Sequence, residues 1–251
     1  MVADNVFHQI GLDYVGSVGL CVDGGRCRIR GNEIRGVPYV GIAAGGKNGR
    51  IENNVVREYM QDGEDGGAYY VYGKTRNYLV RGNAAYGPPG RAMAHAYYTD
   101  EFSADHRIEG NLAVNARWPL HTHISSGHRI VNNVFVDRGP SKITLTRSHG
   151  MRFERNIICA GGSITIHMRP DGISAMPNNI FFCRRGTLRV GWLAKQEYHT
   201  LKTEAFPLRD GSILADPLFT DASRGEYSFK RRSPAHDLGI RPIGVSPQIT
   251  N

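Results

Sequence analysis

An apolar residue, two variable residues and an asparagine recur along most of this chain. The pairs are Val2/Asn5, Ile29/Asn32, Ile51/Asn54, Val80/Asn83, Ile108/Asn111, Ile130/Asn133, Phe153/Asn156 and Met176/Asn179. The clearest copy is His106-Arg107-Ile108-Glu109-Gly110-Asn111, which returns as His128-Arg129-Ile130-Val131-Asn132-Asn133. The base step is 22 or 23 residues, and three coils are longer. Self-similarity at this period requires stacked, near-equivalent units.

Apolar residues inside each unit alternate instead of recurring three and four apart, as in Val134/Val136 and Ile164/Ile166. Short alternating runs bounded by Gly and Asn read as strands. Two or three strands per unit and no crossover helix predict an all-β fold: a parallel β-helix of about eight coils, with like residues in ladders ~4.8 Å apart. The recurrent Asn is expected in a turn, where it tolerates left-handed backbone angles and bonds its neighbours above and below.

A second strand run aligns in the same way. Its inward residues are expected to include Leu120/Thr122, Ile143/Leu145 and Ile164/Ile166. Two outward columns follow, one of Tyr70, Tyr98, His121, Thr144 and Thr165, the other of Tyr72, Asp100, His123, Thr146 and His167.

With 251 residues, of which 40% are hydrophobic, one solenoid accounts for the chain. Its coils are expected over residues 1–191, with residues 192–251 as the end of the same domain. Trp192 to Phe206 reads as a helical excursion, Leu214 to Phe219 as extended chain, and Gly225 to Gly239 as a last strand and a cap. No apolar run is long enough to span a membrane. Met1 to Asp4 carry no signal-peptide pattern, and a secreted or periplasmic parent is expected. The first coil starts at once, so an open N-terminal end is expected, either of a truncated piece or of a chain that packs on a partner or a second copy.

The net charge of +8 comes mostly from Arg spread along the coils. It reads as a solvated basic face or, more specifically, as one for an anionic polysaccharide. Nucleic acid is not expected, because no binding module or Lys/Arg block is present. The four cysteines have no C-x-x-C spacing, which disfavours zinc. Cys159 and Cys183 fall in adjacent coils and read as small apolar fillers that need no disulfide.

Insertions in solenoids gather on the binding face. Here they precede the Tyr69 strand (Glu58 to Gly67) and the Tyr97 strand (Gly87 to His95). They bring together Asp62, Glu64, Asp65, Tyr70, Tyr72, His95, Tyr98, Asp100 and Glu101, and the next coil adds His121 and His123. Rings that stack on sugars beside paired carboxylates suit cleavage of a glycosidic bond, which needs one protonated and one ionised carboxyl group. Asp100, between Tyr72 and His123, is expected to have a raised pKa. Asp65 also reads as the turn residue of Asp-Gly-Gly. Asp62, Glu64 and Asp65 are weak oxygen ligands for calcium, their spacing matching no fixed loop. No other cofactor or metal is expected.

The segments Asp65-Gly-Gly-Ala-Tyr-Tyr-Val-Tyr-Gly73, Ala96-Tyr-Tyr-Thr-Asp-Glu-Phe-Ser103 and Leu120-His-Thr-His123 resemble the right-handed parallel β-helix enzymes of the pectate-lyase-like superfamily. They are most similar to the glycoside hydrolases related to families 141 and 120, which include α-fucosidases, xylanases and β-xylosidases. Ala215-Asp-Pro-Leu-Phe-Thr-Asp221 and Ser233-Pro-Ala-His-Asp-Leu-Gly239 resemble that group's closing segment. The resemblance implies a catalytic acidic pair, placed at Asp65 and Asp100 with Glu101 as substitute. Tyr70, Tyr72, His95, Tyr98, His121, His123, Arg147 and His167 are the expected substrate-binding residues. Those enzymes are longer and carry parts that wall the cleft. A polysaccharide lyase using Arg147, Lys142, His123 or Tyr72 is the alternative, and a non-catalytic carbohydrate-binding or structural solenoid is the third reading.

Overall fold

A computed structural model describes residues 1–11, 13–87, 93–194 and 200–245. The chain winds into a β-solenoid of about eight turns with three parallel sheets. The first sheet has eight strands, from Val2–Ala3 through Arg28–Arg30, Arg50–Glu52, Leu79–Arg81, Arg107–Glu109, Arg129–Val131 and Met151–Glu154 to Ile173–Ala175. The second has nine, from Val6–His8 to Ile213–Leu214. The third holds the longest strands, including Gly66–Val71, Ala94–Thr99, Trp118–His123, Ser141–Thr146 and Ile164–Met168.

The asparagine ladder forms as the repeat predicts. Each Asn Oδ1 accepts both the backbone N–H and the side-chain Nδ2 of the Asn one coil earlier, as in Asn83 to Asn111 (2.9 and 3.1 Å) and Asn111 to Asn133 (3.0 and 2.9 Å). Each Nδ2 also donates to a carbonyl of the preceding coil, Asn111 to Val80 at 2.9 Å. Ser212 ends the series, its hydroxyl taking Asn179 N–H at 3.0 Å. These turns are buried, and every polar atom in them needs such a partner.

One part of the expectation is corrected. The left-handed backbone is not at the ladder Asn but one residue before it, at Gly31, Asn53, Gly82, Gly110, Asn132, Arg155 and Asn178. The turn is made by that preceding residue, which leaves the ladder Asn free to aim its amide along the solenoid axis. Gly or Asn fills that place in six of these seven coils because they bear positive φ at least cost.

Inside, Ile29, Ile51, Val80, Ile108, Ile130 and Phe153 stack in register. Tyr69 and Tyr97 stack beside them at 5.1 Å, their hydroxyls meeting turn carbonyls such as Asn54 O and Asn83 O. Leu120, Thr122, Ile143, Leu145, Ile164 and Ile166 are buried, as alternation predicts.

The end of the chain differs from expectation. Trp192 begins no helix: Leu188–Leu193 pairs antiparallel with Thr200–Ala205. Residues 195–199 of the expected helix lie outside the described residues. The apolar spacing over Trp192 to Phe206 serves instead a hairpin whose second strand is largely exposed. Beyond it, the chain does more than close the end. Tyr227, Ala235 and Ile240 cover the outward Ala84, Leu112, Val134, Ile157 and Ile180 of the second sheet. Arg241 and Asn132 exchange two hydrogen bonds, 2.7 and 2.9 Å, far back along the solenoid.

All four cysteines are free thiols. Cys183 is in register with Ala160, not with Cys159. Alternation therefore sends the two thiols to opposite faces of the sheet, and no disulfide joins them.

Candidate functional site

Cross-strand register decides which side chains meet on the outer face of the third sheet. Tyr70, Tyr98, His121, Thr144 and His167 form one continuous column. His167 therefore belongs beside Thr144, and Thr165 pairs with Lys142, a correction of two residues. Thr144 and His167 each follow their ladder Asn by 11 residues, and that equal distance sets their register more firmly than the local apolar pattern. Gly191 lies opposite His167, and a Cβ there would come within 3.1 Å of the imidazole. The glycine leaves the ring its place.

The column borders a cleft of about 400 Å³. Of the residues expected from sequence, Asp65, His95, Tyr98, His121, His123 and His167 line it. Asp100 lies at its end, bonded to two of them. Its Oδ1 is 2.8 Å from His123 Nδ1 and 3.3 Å from the Tyr98 hydroxyl, and its Oδ2 accepts from Tyr70 at 2.5 Å. The backbone N–H of Glu101 donates to the same carboxylate. Burial pushes the Asp100 pKa up, but His123, Tyr70 and the Glu101 N–H outweigh it and hold the carboxyl below its ordinary value. The expected rise is thus reversed, because the residues that shield Asp100 are hydrogen-bond donors.

Asp65 ends the first insert in a left-handed conformation (φ 56°), so it is both the turn residue and a cleft residue. Asp65 is exposed, yet partial desolvation, then the nearby charge of Asp100, pushes its pKa up. Tyr98, whose hydroxyl donates to Asp100, lines the cleft together with Asp65. Tyr39, from the preceding coil, donates to the Asp65 carbonyl at 2.9 Å and supports the turn from below.

The floor of the cleft is a run of stacked rings. His95 and His121 lie parallel at 4.5 Å, with Tyr98 edge-on to both and Trp118 edge-on to His95. His95 is buried and neither ring nitrogen has a partner. Burial, then the charge of Lys142, lowers its pKa to about 3. The same two causes take His167 to about 4, and His121, buried and beside His95, is also driven well down. These rings are neutral at neutral pH. Lys142 lies 4.2 Å over the Trp118 ring, where burial and then Arg117 depress its pKa.

Other expected residues fall outside this cleft. Tyr72 stacks on Tyr70 and its hydroxyl is 3.9 Å from Cys21 Sγ. Glu101 turns its side chain to solvent, and Arg147 occupies the turn after Ser141–Thr146 with φ 53°. Asp62 and Glu64 are exposed, and among the described residues no group of three His, Cys, Asp or Glu is placed to hold a metal ion. Trp118, Tyr39, Met93 and Leu193 were not foreseen. Trp118 stands in register with His95, 23 residues on, so extending the repeat to the strand start would have found it. Residues 88–92 of the second insert lie outside the described residues.

Comparison of the chain with protein-family models, with curated proteins and with solved structures gave no match.

Proposed function

We propose that the chain is a glycoside hydrolase of the β-helix kind resembling families 141 and 120, acting on a plant or microbial polysaccharide. One observation carries the reading: Asp65 lines the cleft at whose end Asp100 sits, and their surroundings push the two pKa values apart. Such a split is how one site holds an acid and a base together. Asp65, the carboxyl of the pair whose pKa is raised, delivers a proton to the leaving glycosidic oxygen. Asp100, ionised and oriented by His123, Tyr70 and the Glu101 N–H, activates water or attacks the anomeric carbon. The partly exposed Trp118 ring, backed by the buried His95 and His121 rings, gives a sugar its apolar platform.

The test is release of reducing sugar from a panel of plant and microbial polysaccharides by the wild type, Asp65→Asn and Asp100→Asn. Activity that falls about 10³-fold in Asp100→Asn, with folding intact, supports the assignment. Full activity in both variants overturns it.

Lys142 in the cleft favours a second reading, a lyase acting on an acidic polysaccharide. Its depressed pKa and its place over Trp118 suit a group that neutralises a uronate or removes the C5 proton. An unsaturated product absorbing in the ultraviolet selects it. Binding without turnover selects the non-catalytic reading.

A further inference from the structure

Register on the first sheet gathers the arginines that composition leaves scattered. On six successive strands the outward residues form two columns. The first is Arg28, Arg50, Leu79, Arg107, Arg129 and Arg152; the second is Arg30, Glu52, Arg81, Glu109, Val131 and Glu154. Seven guanidiniums thus share one flat face with three carboxylates. At strand spacing the first column runs about 24 Å along the solenoid axis.

The carboxylates lie beneath the arginines. Side-chain exposure is 15% for Glu52, 16% for Glu109 and 3% for Glu154, against 47–51% for Arg50, Arg81, Arg107, Arg129 and Arg152. Each Glu is held between arginines of neighbouring coils: Glu52 by Arg50 and Arg81, Glu109 by Arg107 and Arg81, Glu154 by Arg129 and Arg152. The acids keep the guanidiniums flat and in line, and the surface offered to a partner is arginine. Half-exposed ion pairs contribute little to stability, so stability alone does not account for the ladder. Each guanidinium has five donors, and one carboxylate engages two at most.

We infer that this face is a docking track for a linear acidic polysaccharide laid along the solenoid axis. A row of planar forks at the strand spacing, with Arg81 of the second column serving the coil where Leu79 stands in the first, matches a polymer with a carboxylate or sulfate on its ring-sized units, recognised through bidentate pairs. No outward residue on these strands is aromatic, so unpaired bases find no stacking platform. A flat sheet face also offers no helix or ribbon to enter a duplex groove. The track lies on a different sheet from the Asp65/Asp100 cleft and stands whether or not that cleft is catalytic.

The test is affinity electrophoresis and calorimetry of the full chain with polygalacturonate, across a salt series. The wild type should bind, more weakly as salt rises. Arg50→Gln/Arg107→Gln/Arg129→Gln should lose about tenfold or more in affinity and flatten the salt slope. Arg224→Gln/Arg231→Gln/Arg232→Gln removes equal charge from exposed positions at the far end of the chain and should keep wild-type affinity. Should the ladder triple melt early, the corresponding Arg→Lys triple keeps the charge and should bind about threefold more weakly, through loss of the bidentate fork. Absence of wild-type binding, equal loss in the control triple, or unchanged affinity in the Lys triple overturns the proposal. So does single-stranded DNA bound more tightly than polygalacturonate through the same arginines. Asp100→Asn should bind polygalacturonate like the wild type, which separates this test from that of the hydrolase.

Discussion

Two pairs of histidines stack almost identically in this molecule and do opposite things. His106 and His128 lie parallel at 4.6 Å in the turn between the third and first sheets. His95 and His121 lie parallel at 4.5 Å on the outer face of the third sheet. In the turn, each Nδ1 accepts a backbone N–H from the coil before: Tyr78 N–H to His106 and His106 N–H to His128, both at 3.1 Å. These imidazoles do in one turn what the asparagines do in another. In the cleft, among the described residues, His95 has no hydrogen-bond partner for either nitrogen, and His121 meets the Thr144 hydroxyl through Nδ1. The solenoid period makes both stacks. Where the ring nitrogens point separates a hydrogen-bonded rung from a buried ring held by packing alone.

The sharpest way to test this contrast is to alter each side in turn. On the cleft side, Asp100→Asn should lower polysaccharide turnover by about 10³-fold while leaving the melting temperature nearly unchanged, measured by initial rates and calorimetry. On the ladder side, Asn111→Ala should leave Asn83 N–H buried without a partner and remove the Nδ2 bonds to Val80 O and Asn133 Oδ1. A loss of about 3 kcal/mol in denaturant unfolding is expected, since each orphaned group costs about 1–3 kcal/mol. His128→Phe should cost about 2 kcal/mol, because it strands the His106 N–H in the same way. His95→Phe removes no hydrogen bond and should change stability at neutral pH by less than about 1 kcal/mol. Equal losses in the two His→Phe variants would dissolve the distinction between the stacks.

Acid should act on both stacks together. His95, His106, His121 and His128 all have native pKa values depressed by burial, the first two to about 3. Below about pH 6.5 the unfolded chain binds protons that the native rings refuse, so stability falls as pH falls and is fully present only above that value. In a series of unfolding curves between pH 4 and 7, His95→Phe should lower the slope by at most about 1.4 kcal/mol per pH unit. An unchanged slope would mean that His95 is not held neutral in the native state.

The asparagine ladder was legible because each rung bonds its own equivalent one coil away, and the alternation of Ile164 and Ile166 named the buried side of a strand without further information. The candidate site was legible in part. Asp65, His95, Tyr98, Asp100, His121 and His123 were named because the inserts announced the face on which they gather. His167 was named in the wrong column, since local alternation leaves two registers open that only the pairing of Ser141–Thr146 with Ile164–Met168 resolves. Arg147 and Glu101 were named by proximity in sequence, yet each follows the end of a strand, where the backbone turns away from the cleft.

The sequence by itself determined the architecture of this protein: its repeat, its all-β coils, its ladder and the face that carries the inserts. Those features depend on interactions between equivalent residues, which a period displays directly. Only the tertiary structure decided that Asp65 and Asp100 meet at one cleft and that donors around Asp100 reverse the effect of its burial. Structure likewise decided that scattered arginines form one row and that the chain's end lies along the second sheet. Each of these depends on where side chains from different coils converge, and insert length and register, which the repeat leaves open, set that convergence.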